Sequence, residues 1–179
     1  LWIRPTPELS FQVSSGHLEH PEKIEPGNQT RSTASIGWQK AFPGGFFSAT
    51  AIAGRNLGAS GPEWGSTLEW TWKFADANFA YGRVESVDRD LYELTHKRQR
   101  PEDVAPVRTT VQALTLGFTR DVRLVSEAET GLGFDATIYG FTNRLNAVYG
   151  SHPVSIHGFL RVRFGSSGGE HAGHGDMKM

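Results

Sequence analysis

Along "VSIHGFLRVRF", residues 154 to 164, Val154, Ile156, Gly158, Leu160, Val162 and Phe164 alternate with Ser155, His157, Phe159, Arg161 and Arg163. An extended chain points successive side chains to opposite faces, so this period of two predicts a strand with one apolar and one charged face. The pattern recurs. "LSFQVS" sets Leu9, Phe11 and Val13 against Ser10, Gln12 and Ser14, and "TLEWTWKF" sets Leu68, Trp70, Trp72 and Phe74 against Thr67, Glu69, Thr71 and Lys73. "QALTLGF" opposes Leu114, Leu116 and Phe118 to Ala113, Thr115 and Gly117. "EAETGLGFDATIYG" opposes Ala128, Leu132, Phe134, Ala136 and Ile138 to Glu127, Glu129, Gly131, Gly133, Asp135 and Tyr139. With "STASIGWQKAF", "FFSATAIAGRN" and "FAYGRVESVD", the chain reads as eight antiparallel strands. Their expected spans are 8–18, 31–42, 46–57, 65–74, 78–92, 108–120, 123–141 and 153–164.

The expected connections alternate in length. Long links "EHPEKIEPGNQT", "GASGPEW", "THKRQRPEDVAP" and "TNRLNAVYGSH" take turns with the tight turns "PGG", "ADA" and "RDV". This is the order of an up-and-down membrane β-barrel, with short periplasmic turns and longer external loops. Aromatic residues gather beside the tight turns: Trp38, Phe42, Phe46 and Phe47 at "PGG", Phe74, Phe79 and Tyr81 at "ADA", Phe118 before "RDV", and Phe164 at the end of the last strand. Rings at one level suit an interfacial girdle. "LWIR" before "PTPE" reads as the tail of an earlier strand, so the eight strands are expected to be part of a larger barrel.

Composition narrows the picture. The 179 residues are 37% hydrophobic, and no run approaches the roughly 18 apolar residues of a membrane helix. A barrel that is apolar only at alternate positions remains compatible. There is no cysteine, hence no disulfide and no thiolate chemistry, and a net charge of -1 without a basic stripe argues against nucleic acid as a partner. The start "LWIRPTPELS" shows no secretion signal, as expected of a processed chain or a piece of a longer one.

The segments "RPTPELSFQVSSGHLEHPE", "RSTASIGW", "ETGLGFDATIYGF" and "YGSHPVSIHGFLRVRFG" resemble a poorly characterised family of bacterial outer-membrane β-barrels, porin-like in organisation. The resemblance covers nearly the whole chain and points to the C-terminal part of such proteins. It implies outer-membrane localisation, a longer parent chain, and lipid and the barrel-assembly machinery as partners. No catalytic residue comes with it. The chain departs from the commonest barrel ending, an aromatic last residue, because Phe164 is followed by "GSSGGEHAGHGDMKM". That tail is either tolerated during assembly or an addition.

Two regions could carry chemistry. The charged side of the strands would line a lumen with Glu127, Glu129 and Asp135 beside His157, Arg161 and Arg163, and with Glu69, Lys73, Arg83 and Glu85 on a central hairpin. Such stripes act either as a field that selects solutes or as a salt-bridged filling of the wall. The second region is the tail, residues 166–179, whose His171, His174, Met177 and Met179 are donors suited to copper. The competing reading is a polar terminus without fixed geometry. The run "HKRQR" in an external loop is either a solvated stretch or a contact for lipid phosphate or sugar.

An enzyme is not expected. Ser60 in "GASGP" does not form a nucleophile elbow, and "GLGFDA" lacks the third glycine of a dinucleotide fingerprint. The expected domain is a run of barrel strands over residues 1–165, and the expected work is passage of small hydrophilic solutes through a polar lumen. Two alternatives stay open: a soluble, lipocalin-like barrel with the apolar face inward around an apolar ligand, and a closed structural membrane barrel. The solute and the oligomeric state are left undetermined.

Overall fold

A computed structural model describes residues 1–19, 27–58, 61–96, 107–125 and 128–164. Nine strands form one antiparallel sheet in strict chain order. They are β1 (Trp2–Ile3), β2 (Leu9–Leu18), β3 (Gln29–Phe42), β4 (Gly45–Gly58), β5 (Gly61–Phe74), β6 (Asn78–Asp90), β7 (Arg108–Val125), β8 (Ala128–Gly140) and β9 (Val154–Phe164). The up-and-down order agrees with the alternation of the sequence. The expected tail of an earlier strand is present as the two-residue β1, paired with β2 through Trp2 and Gln12. The sheet is open: β1 and β9 lie at opposite edges and do not pair with each other.

Local chemistry sets the hairpins. Pro43 and Gly44 connect β3 to β4, with Gly44 at φ +79, a conformation open to glycine without steric cost. Ala75 and Asp76 turn the next hairpin with φ of 47 and 58. The Asp76 N–H donates to the Gly44 carbonyl at 3.1 Å, and the Asp121 N–H donates to the Ala77 carbonyl at 2.7 Å. The tight turns at this end are therefore laced together.

Two expected connections are corrected. β5 begins at Gly61, so residues 61–64 of "GASGPEW" belong to the ladder, with Pro62 opposite Leu57 and Trp64 opposite Arg55. Long and short links consequently do not alternate strictly. "RDV" is not a turn either, because β7 runs through it to Val125, with a register shift between Val122 and Val125. There the Thr130 hydroxyl donates to the Val122 carbonyl.

The opposite end carries short helices, α1 (Leu91–His96), a 3-10 turn (Asn143–Leu145) and α2 (Asn146–Tyr149). Leu145 there is the most buried large side chain among the described residues, at 1% exposure. The Tyr149 hydroxyl donates to the Leu94 carbonyl at 2.9 Å, joining the two loops.

Register sorts the side chains by face. One row from β2 to β9 runs Phe11, Ile36, Ala51, Leu68, Val84, Leu114, Ile138, Val154. Its neighbour on the same face runs Leu9, Trp38, Ala49, Trp70, Gly82, Leu116, Ala136, Ile156. Neither row contains a polar side chain. On the other face, Ser10, Gly37, Thr50, Glu69, Arg83, Thr115, Thr137 and Ser155 form an equally continuous row without a large apolar residue.

Candidate functional site: the polar face

The apolar face is the exposed one. Leu116 is 53% and Phe134 59% exposed, whereas Thr119 and Thr137, on the polar face of the same two strands, are 3% and 7% exposed. Burying polar groups while leaving aliphatic ones open reverses the order expected in water. Charges on the apolar face keep to its ends, with Lys40 and Arg120 near the tight turns and Arg55, Asp88 and Arg108 near the long loops.

The polar face is held by contacts that reach across strands. The Tyr81 hydroxyl on β6 donates to Asp135 Oδ2 on β8 at 3.2 Å, and His157 Nδ1 on β9 lies 2.9 Å from Asp135 Oδ1. The Tyr81 ring passes over Gly117 of the intervening strand, where a Cβ would sit 2.2 Å from Tyr81 Cζ. Phe159 crosses Gly133 in the same way, 2.4 Å from the position of a Cβ. Arg161 on β9 binds Asp121 on β7 and stacks its guanidinium 5.2 Å from the centre of the Phe79 ring on β6. Lys73 Nζ takes up a position 5.6 Å from the same ring. Side chains of strands two and three positions apart are thereby tied together across the polar face.

Several residues expected to line a lumen thus share one face: Glu69, Lys73, Arg83, Glu85, Asp135, His157 and Arg161. Asp135 and His157 meet as the opposed stripes suggest. Arg161 does not turn to a β8 carboxylate but to Asp121, a residue the sequence reading assigned to a turn. Arg83 stands opposite Glu69 in register, yet its ion pair is with Glu85 on its own strand, at 2.6 Å. Glu129 and Arg163 are register partners. Glu127, the "HKRQR" run beyond His96, Ser60, and His171, His174, Met177 and Met179 of the tail lie outside the described residues. Among the described residues no group of three or more His, Asp or Glu is placed to hold a metal.

Part of the expected aromatic set gathers on one face. Trp38, Phe47, Trp70, Trp72, Phe74, Phe118 and Phe134 share the apolar face near the tight turns, and consecutive ring centres lie between 4.8 Å (Trp72 and Phe74) and 6.4 Å (Phe74 and Phe118) where they touch. Phe46, Phe79 and Tyr81 are corrected to the polar face, since Phe46 pairs with Lys73 and Tyr81 with Thr71. Tyr81 and Asp121 are the polar-face residues that sequence reasoning missed. Continuing the period of two from Thr115 through Gly117 and Thr119 to Asp121 would have found the second.

Comparison with protein-family models, curated proteins and solved structures yields no match to this chain.

Proposed function

We propose that the sheet is part of the wall of an outer-membrane β-barrel, with lipid against its apolar face and a water-filled path for small hydrophilic solutes along its polar face. The observation that carries this reading is the reversed burial of β7 and β8, in which Leu116 and Phe134 are open while Thr119 and Thr137 are shielded. Water would penalise that arrangement, and hydrocarbon favours it.

The dimensions support the reading. From Trp64 to Phe74 the apolar face of β5 extends roughly 33 Å along the strand at about 3.3 Å per residue. At a tilt of about 40° this is a band about 25 Å tall, the height of the apolar belt in membrane barrels. The laced short turns and the ring ladder at one end match a periplasmic rim. The open edges of β1 and β9 call for further strands to close a barrel, in keeping with the resemblance to the C-terminal part of a larger porin-like protein. A lipocalin-like barrel would need Leu68, Trp70 and Trp72 enclosed, whereas Leu68 and Trp72 are exposed.

The test is conductance across a planar lipid bilayer, comparing the full-length closed barrel with its Arg161→Ala variant. Stable current steps whose cation-to-anion preference moves toward cations in the variant are expected. Insertion without current would leave a closed structural barrel, and failure to insert would return the apolar face to a soluble core.

A further inference from the structure

The polar face carries a patch in which one carboxylate, one guanidinium and several hydroxyls surround an open cavity of about 390 Å3. Two adjacent register rows build it, Thr50, Glu69, Arg83 and Thr115 in one and Ser48, Thr71 and Tyr81 in the other. We infer that this patch on β4 to β7 is a binding subsite for a non-anionic, polyhydroxylated solute of the sugar class, an inference that rests on the polar face being wetted.

The chemistry selects that class. Arg83 stands opposite Glu69 in register but is engaged by Glu85 at 2.6 Å, whereas Glu69 has no ion-pair or hydrogen-bond partner among the described residues. The patch therefore carries one uncompensated carboxylate, which disfavours anionic solutes. A free carboxylate accepts two O–H donors at once, as a vicinal diol offers them. The hydroxyls of Ser48, Thr50 and Thr71 can each donate or accept, which suits groups that do the same. Tyr81 is tied to Asp135 at 3.2 Å and lies against Gly117, so its ring forms a fixed apolar surface beside these polar groups. Hydroxyls around a ring that cannot swing away match a solute with polar edges and C–H faces.

The experiment titrates the chain, folded in a detergent without a sugar head group, with maltose, gluconate and glucosamine, and reads binding by calorimetry and saturation-transfer NMR. Maltose and glucosamine are expected to bind in preference to gluconate. Glu69→Gln should weaken maltose binding by about tenfold, the loss of one charge-assisted hydrogen bond, and Thr71→Val should weaken it by a smaller factor with the fold unchanged by circular dichroism. Equal or tighter binding of gluconate, no maltose binding, or variants that bind as wild type would overturn the subsite. Conductance of the full-length closed barrel separates the two readings: current without maltose binding removes the subsite alone, and maltose binding without current removes the pore alone.

Discussion

The two faces of the β7 and β8 hairpin are built from the same backbone and differ only in which side chains the alternation assigns to them. On one, Leu116, Leu132, Phe134 and Ile138 stand outward without a covering layer. On the other, Thr115 and Thr137 bond hydroxyl to hydroxyl at 2.7 Å and Asp135 gathers Tyr81 and His157. A soluble sheet satisfies its polar side chains with water and its apolar ones with a core. Here the polar side chains satisfy one another and the apolar ones stay uncovered, the division that the proposed lipid-facing wall requires. The comparison teaches that one alternating pattern gives a sheet two chemically opposite faces.

The contrast breaks most visibly under a charge. Leu116→Arg should cost about 2–4 kcal/mol of stability in lipid vesicles if that position is near the midplane, while Thr115→Arg on the opposite face should cost under about 1 kcal/mol. Urea unfolding from vesicles checks the difference, and equal costs would remove the distinction between faces. Next in size is crowding of the polar face. Gly133→Ala puts a methyl 2.4 Å from Phe159 Cζ and 2.7 Å from Thr119 Oγ1, so a loss of about 1–3 kcal/mol is expected from the same unfolding curves. Gly158→Ala, on the apolar face with nothing within 4 Å of the new methyl, should be close to neutral.

Asp135→Asn sharpens the comparison at a finer scale. It keeps the shape but removes the charge that His157 and Tyr81 share, and a loss of about 1 kcal/mol is expected, the contact being partly open to water. Trp64→Ala should cost less than Asp135→Asn. It removes a ring 5.3 Å from the Arg55 guanidinium at the rim of the apolar face, worth about 0.5–1 kcal/mol. A loss several times larger would mean that Trp64 packs against more than Arg55.

Much of this was legible in the sequence, for a physical reason. A period of two is a direct consequence of strand geometry, so Leu68, Trp70 and Trp72 fell on one face and Glu69, Thr71 and Lys73 on the other as expected. What escaped was decided by pairing rather than by local pattern. Pro62 and two nearby glycines made the start of β5 look like a loop, although Leu57 and Gly58 supply partners that extend the ladder to it. Asp121 looked like a turn residue until its bond with Arg161, forty residues later in the chain, placed it in β7. Tyr81 and Phe79 looked like girdle aromatics because a ring near a turn carries no mark of its face. The alternation around them shows it, but only once the register with Thr71 and Lys73 is fixed. Closure of the sheet depends on its two edges, and no local segment encodes that.

The most direct measurement uses the absence of cysteine. Single cysteines placed in turn at 154 to 160 along β9, in the chain inserted in lipid vesicles, are exposed to a membrane-impermeant maleimide. The account predicts labelling that alternates, with positions 155, 157 and 159 reacting and positions 154, 156, 158 and 160 protected by lipid. Alternation in the opposite sense, or uniform labelling at every position, would contradict it.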